Sequence, residues 1–557
     1  MTRRILSARV ELVREGIDRL GIEAVWQSLV ATHAIRVGGA ATEAILADLP
    51  RRDPSWDLDL LDGLQMDERS VLYEYSLAYV DRVDRKASGQ FFTPDDVARF
   101  LASRAARFTP GIWIDPCCGV GNLSYWLAAA QPDPRRFVAE HLVLVDRDPR
   151  ALLVARALIA TEFGLDGVQY AALVGRSRVA DALTDDLPGF DYALMNPPYV
   201  VVPRDDRFAA AESRDLYAYF LERMLTLGRR GIVAITPQSF TSGRKFAGLR
   251  RLLVRRLEVM DVYCFDNVPD NVFRGVKFGS QNSNRVNSTR AAVLVGSMGE
   301  VDAPRRHRIT PLLRWRAHER ADLFAAADDF LADLQADEDR AFPKVGAALV
   351  PLHRAMLECD TTVRDLVASE PTGYPLDVPV TPRYFLSAVK RVLDRGHVHR
   401  LYFRDAAARD RAAVVLNSSL AYWWWRAYEG GITVSRAILL SVPVPIAAAD
   451  PVLVAALEAS EVDNVVVKRN AGRPNENVKH PWRLLRMLNE AVAPDDVDAL
   501  LATHANSHLG TPSESIAARH PTRGSSAARS AGPTPPSRRW GDRDPTREHP
   551  PARASGA

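Results

Sequence analysis

The stretch from Phe190 to Tyr199 reads FDYALMNPPY, an apolar run that breaks into Asn196-Pro197-Pro198-Tyr199. Two adjacent prolines cannot extend a β-ladder, because neither has an N–H to donate. The residue before a proline is also driven towards extended geometry. The pattern predicts a strand ending near Met195 that hands Asn196 and the next carbonyls to a stiff turn. Outward from it lie further short apolar runs: IWID (112–115), HLVLVD (141–146), GIVAIT (231–236), VMDVYCF (259–265) and AAVLVG (291–296). Helical stretches such as PRALLVARALIATEF and DLYAYFLERMLTL separate them. Strand and helix in this alternation predict an α/β fold with a doubly wound, mostly parallel sheet.

The flanks divide the 557-residue chain further. Residues 1–88 carry apolar residues three and four apart and read as a helical segment. Residues 89–299 hold the strand–helix alternation. Residues 300–510 read as a mixed α+β region, with turn signals in EPTGYPLDVPVTPRYF and SVPVPIAAADP. Residues 511–557, rich in Pro, Ser, Ala, Gly and Arg, are expected to be a disordered tail. That tail has a net charge of +4 and the remainder about −1, so no polyanion-binding role rests on bulk charge. The local run RRLLVRR (250–256) reads first as the wet face of a helix. No apolar run approaches the roughly 18 residues of a membrane span. Four cysteines without metal-ligand spacing suit a cytoplasmic protein, and no signal peptide is read at the N-terminus.

Three strand ends carry the chemistry. DPCCGVGNL (115–123) follows the first run, and Gly119 and Gly121 permit a tight turn that lets a ligand approach the backbone. Asp146 closes the second run, where a carboxylate can accept both hydroxyls of a ribose. Asp148, just before Pro149, is the better candidate for a helix cap. Asp181 in RVADAL closes the next segment and can hold an adenine amino group; alone it would be a loop aspartate.

With Asn-Pro-Pro-Tyr added, the set resembles the S-adenosylmethionine-dependent DNA N6-adenine methyltransferases. The order of motifs is their gamma arrangement, of the type IIG or Eco57I-like restriction-modification kind. The resemblance covers roughly Leu72 to Met298 and extends more loosely to NSSLAYWWWRAYEGG (417–431) and VPVP (442–445). It implies a Rossmann-like catalytic domain over 89–299, with S-adenosyl-L-methionine held by Thr93, Asp115, Gly119, Gly121, Asp146, Asp181 and Asn196. Thr93 lies in GQFFTPDDVARFLASR, which is similar to the family's segment before the cofactor loop. The resemblance implies catalytic roles for Asn196, Pro197 and Tyr199, no metal, and a DNA target-recognition region in 300–510. Arg147 departs from the pattern, since the position after the ribose acid is usually apolar.

An exocyclic amine is a poor nucleophile because its lone pair is delocalised into the ring. The Asn196 side-chain carbonyl and the Pro197 backbone carbonyl can accept both amine protons, and fixed dipoles then face the charge that develops on nitrogen. Tyr199 offers a ring on which a flipped-out base can stack. The expected partner is double-stranded DNA, with a separate restriction endonuclease or specificity subunit as a further partner. Transfer to RNA or to a protein glutamine is the enzyme alternative, since both use the same tetrapeptide. A lapsed methylase serving as a DNA-binding specificity component is the non-enzyme one. Tyr422 to Trp425 could stack on bases but read first as packing. Asn475, Asn477 and Lys479 could contact bases or phosphates.

Overall fold

The computed structural model describes residues 2–80, 93–273, 277–278, 281–282, 289–299, 305–334, 341–382, 385–429, 431–470 and 473–509. The expected tail and the first four residues of GQFFTP lie outside the described residues.

Each apolar run forms a strand of one nine-stranded sheet. The strands are β1 (Trp113–Asp115), β2 (Leu142–Asp146), β3 (Arg178–Val179), β4 (Tyr192–Met195), β5 (Gly231–Pro237), β6 (Val259–Phe265), β7 (Ala291–Ser297), β8 (Arg306–Ile309) and β9 (Ala332–Asp333). Their order across the sheet is β9-β8-β6-β7-β5-β4-β1-β2-β3. Pairing is parallel from β3 through β2, β1 and β4 to β5, and again between β6 and β8. Strand β7 runs antiparallel between β5 and β6, and β9 runs antiparallel to β8.

Both faces of the sheet are covered, which is why the strands read as unbroken apolar runs rather than alternating ones. Trp113, Leu142, Leu144, Leu194 and Ile235 point into one core with the helices Asp95–Ala105 and Pro149–Phe163 and the N-terminal helices. Ile114, Val143, Val145, Ala193 and Ala234 point into the other, with the helices Leu216–Leu227 and Ala247–Arg256. The fold class is therefore the expected doubly wound α/β sheet.

The N-terminal helices share the first core with the sheet rather than standing apart from it. Glu162 accepts from His33 at 2.9 Å and from Arg69 at 2.6 Å, and these donors hold its carboxyl down to about 2 despite burial. Tyr73 donates to Asp148, fastening the helix Met66–Val80 beside the turn that follows β2.

The sheet does not stop at residue 299. Strands β8 and β9 carry it on to Asp333, so the expected division between 299 and 300 falls inside the sheet. From Val345 onward a second lobe has its own core. It includes the helices Ala406–Asn417, Ser419–Tyr428 and Trp482–Val492 and a ribbon of β10 (Pro375–Pro379) with β11 (Val398–Tyr402). Tyr422, Trp423, Trp424 and Trp425 are at most 5% exposed and fill this core, which is the packing reading. Arg250, expected on a wet helix face, is 2% exposed instead. Its guanidinium donates to the carbonyls of Phe240 and Gly243, closing the turn after β5.

The lobes meet on one buried carboxylate. Asp266, just past β6, receives Arg290, Arg314 and Arg426, and the three guanidinium groups hold its carboxyl far below the usual carboxylate range despite burial. Arg426 comes from the helix Ser419–Tyr428 of the second lobe. Arg314 also donates to Tyr422 at 2.7 Å.

Candidate active site

The carboxyl ends of parallel strands leave a crevice outside the sheet, and that is where ligands bind in open α/β folds. Here the turns after β1, β2, β3 and β4 converge at that edge.

Asp115 ends β1 with its side chain 1% exposed. Its carboxylate accepts from the Ser124 hydroxyl at 2.8 Å and the Cys117 N–H at 3.4 Å. Burial pushes the carboxyl up to about 7, with the nearby charge of Asp146 adding to the effect. Gly119 and Gly121 have φ of +52° and +88°, in the left-handed region where a Cβ costs energy. Around Gly119 a Cβ would meet nothing within 4 Å, so the space beside its backbone is open. At Gly121 a Cβ would lie 3.0 Å from Ile159 and 3.2 Å from Ala155, so glycine is what lets the loop close onto the helix Pro149–Phe163. The helix Asn122–Ala129 begins directly after it.

Asp146 ends β2 and accepts the Gly119 N–H at 2.8 Å and the Asp148 N–H at 2.9 Å. Burial raises its pKa. Asp148 caps the helix that starts at Pro149, as its position before proline predicts. Arg147 is exposed. Asp181 lies in the turn after β3, next to β2, where Ala180 N–H bonds the Asp146 carbonyl. It is exposed, and one carboxylate oxygen accepts the Leu183 N–H at 2.9 Å.

After β4, Asn196 sits half-buried with both ends of its carboxamide engaged. Its Nδ2 donates to Thr93 Oγ1 at 3.0 Å, and its Oδ1 accepts the Tyr199 hydroxyl at 2.6 Å. The backbone carbonyl of Asn196 accepts from Cys117 Sγ at 3.5 Å. Thr93 is buried, and its own carbonyl accepts from Asn122 Nδ2. A chain of polar contacts therefore runs from the β1 loop through Thr93 to Asn196 and Tyr199. Pro197 is buried between them and Pro198 is half-buried. The Tyr199 ring packs edge-on to Tyr217 and Phe273, and its hydroxyl also approaches the Ile235 carbonyl at 3.1 Å.

The expected residues are thus grouped at one edge, with Asp181 at its rim. Sequence reasoning missed three participants: Cys117, Asn122 and the hydroxyl of Tyr199. Asn122 Oδ1 is buried with no hydrogen-bond partner among the described residues. The signal for it was its place at the start of the helix after Gly121. Among the described residues no group of His, Cys, Asp and Glu could hold a metal, and no helix is long and apolar enough to cross a membrane.

Fold and site define an α/β chain with an open glycine turn, acids at the first strand ends, and Asn-Pro-Pro-Tyr at the fourth. A family model described as "Eco57I restriction-modification methylase" matches residues 170–273, which include β4 and the tetrapeptide. Among solved structures, the DrdV–DNA complex is 13% identical, with a TM-score of 0.40 over 69% of this chain and 49% of that one. The type ISP restriction-modification enzyme LlaBIII bound to DNA is 11% identical, with a TM-score of 0.40 over 68% and 34%. A type I restriction enzyme modification subunit from Vibrio vulnificus YJ016 is 11% identical, with a TM-score of 0.40 over 61% and 95%. The chain spans about half of the DrdV chain and about a third of the LlaBIII chain. Likeness at this level says nothing of substrate, and the functional reading rests on the site.

Proposed function

We propose that the chain is an S-adenosylmethionine-dependent DNA methyltransferase of a restriction-modification system, acting on the N6 amine of adenine in double-stranded DNA. The observation that carries this reading is Asn196: a carboxamide at a strand end, fixed by Thr93 and followed by two prolines and a tyrosine. S-adenosylmethionine supplies a methyl carbon made electrophilic by its sulfonium.

The residues at the edge suit that cofactor. The open space beside Gly119 admits it, Asp146 faces the turn with lone pairs left for ribose hydroxyls, and Asn122 Oδ1 is a buried acceptor awaiting a donor. Asp181, at the rim, is the proposed contact for its adenine. Thr93 and Asp115 position the loop.

Asn196 Oδ1 and the Pro197 carbonyl accept the two protons of the incoming amine and orient its lone pair away from the ring plane. These dipoles are held before the base arrives, so little reorganisation is needed as nitrogen becomes positive. Tyr199 donates its hydroxyl to one lone pair of the same Oδ1, so an incoming amine shares that oxygen with it and weakens its bond. The base has to leave the duplex to reach this depth, and the Tyr199 ring offsets part of the stacking it loses. Asn rather than Ser at 196 favours adenine N6 over cytosine N4.

The lobe from Val345 onward is the proposed target-recognition region, because the pocket can test only the flipped base while its neighbours are read in the grooves. The test is incubation with plasmid DNA and S-adenosylmethionine, followed by long-read mapping of modified bases. N6-methyladenine at one recurring sequence is expected. Methylcytosine, or no mark on DNA alongside transfer to RNA or a glutamine peptide, would refute the reading.

A further inference from the structure

The Asn-Pro-Pro-Tyr turn is buttressed by two separate parts of the chain. Asn196 is held by Thr93, which lies just before the helix Asp95–Ala105. Tyr199 is backed by Phe273, whose ring stands edge-on to it with centroids 6.1 Å apart. Phe273 belongs to the irregular segment that follows β6, and it and Val272 are each 1% exposed. A buried segment outside the sheet has no ladder to satisfy its carbonyls, so they need donors from elsewhere.

One side chain reaches both buttresses. Arg320 opens the helix Arg320–Ala326, between β8 and β9, and is 4% exposed. Its Nη1 donates to the Asn271 carbonyl at 2.7 Å and its Nη2 to the Val272 carbonyl at 2.8 Å. The other edge of the guanidinium grips the Asp96 carboxylate, through Nε and through Nη2 at 2.9 Å. Asp96 stands in the first turn of the helix that follows Thr93.

The Asp96 carboxylate by itself offsets the charge of the guanidinium. The two carbonyls add nothing to that balance, and they belong to the two residues that precede Phe273. What they add is a fixed position. Arginine suits this place because its planar fork presents donors along two edges at once, whereas an ammonium is a point charge that can serve one side.

We propose that Arg320 is a positioning residue for the target base. By tying the Phe273 segment to the helix after Thr93, it fixes the Tyr199 ring relative to the Asn196 carboxamide, and so the slot in which a flipped base is stacked and presented. The inference rests on the methyltransferase reading above. The bond between Gly119 and Asp146 takes no part in this tie, so affinity for the cofactor should change little.

The test uses the full chain carrying Arg320→Lys. Its single-turnover rate of methyl transfer to target DNA should fall roughly tenfold to a hundredfold, as for a reactant misplaced by about an ångström. The amplitude of that turnover and the calorimetric affinity for S-adenosylhomocysteine should match the parent. A role in stability alone would lower the amplitude, through fewer folded molecules, and leave the rate constant as it was. Without any DNA, hydrogen exchange at residues 267–273 should be faster in the variant. Asp96→Asn breaks the other end of the tie at a side chain that is 45% exposed, so it serves if Arg320→Lys fails to fold, and it should show the same pattern at smaller size. An unchanged rate constant, a loss of amplitude alone, a matching loss of cofactor affinity, or unchanged exchange at 267–273 would overturn the proposal. A parent that transfers no methyl group to DNA refutes the methyltransferase reading instead, and the exchange measurement still decides whether Arg320 holds the segment.

Discussion

In the sheet lobe the residues proposed to carry the chemistry stand at strand ends, where Gly119, Asp146 and Asn196 face a crevice. In the second lobe the residues most conspicuous in sequence, Tyr422 to Trp425, are turned wholly inward. The difference lies in what each lobe must bury. A doubly covered sheet satisfies its apolar strands from both faces, so its strand ends are free for polar work. The second lobe draws its core largely from helices, and an aromatic run there is spent on packing. Conspicuousness in sequence therefore goes with exposed strand ends in one lobe and with packing in the other.

That contrast can be broken first at the junction. Asp266→Asn leaves Arg290, Arg314 and Arg426 without their shared carboxylate, and losing one side of a buried ionic set costs about 3–5 kcal/mol. A large fall in thermal midpoint is expected, and a variant as stable as the parent would mean the lobes hold together without this contact. Next, Asn196→Ala should reduce methyl transfer by roughly 10²–10³-fold, as for removing a preorganised polar group. Affinity for S-adenosylhomocysteine should barely change, which calorimetry can check. Asp146→Ala should do the reverse and weaken that affinity by about 1.5–3 kcal/mol, the range of hydrogen bonds to a charged group.

A fourth test uses pH. Folding raises the Asp115 carboxyl from the ordinary aspartate range to about 7, so the folded state binds the extra proton. The stability this group contributes is complete below its unfolded pKa and is lost as pH rises through about 7. Between these limits the parent should lose up to about 1.4 kcal/mol per pH unit relative to Asp115→Asn. Parallel melting profiles for the two proteins would remove the assignment. The smallest effect is expected from Tyr199→Phe. Its hydroxyl competes for Asn196 Oδ1 with a bond worth about 0.5–1.5 kcal/mol, so the variant should bind target DNA up to about tenfold tighter. An unchanged affinity for DNA carrying 2-aminopurine at the target would mean the hydroxyl does not compete.

Six of the nine strands were legible because burial on both faces leaves long apolar runs. The other three lacked that signal for particular reasons. β3 and β9 span two residues each, and β8 reads RHRI because Arg308 is paired across the sheet with Asp261. Without that signal the end of the sheet is not legible in the sequence, and the expected boundary at 299 falls short of it. The grouping of site residues was legible because each follows a strand. The bond from Tyr199 to Asn196 was not, since it depends on a rotamer rather than on residue type. Asp266 was equally hidden: its arginines lie 24, 48 and 160 positions away.

The Tyr199 hydroxyl also bears on turnover. A half-buried carbonyl left bare would lose a hydrogen bond each time the pocket emptied, and here a neighbour fills the vacancy. Entry of a base then sets a second donor beside the tyrosine on the same oxygen of Asn196, and the two compete for it. On the proposed chemistry the nitrogen releases one proton to solvent once the methyl group is on it, so the product amine has one N–H where the substrate had two and holds the two acceptors less well. The tyrosine is then the stronger claimant, so the same side chain that yields to an unmodified base helps to expel a methylated one.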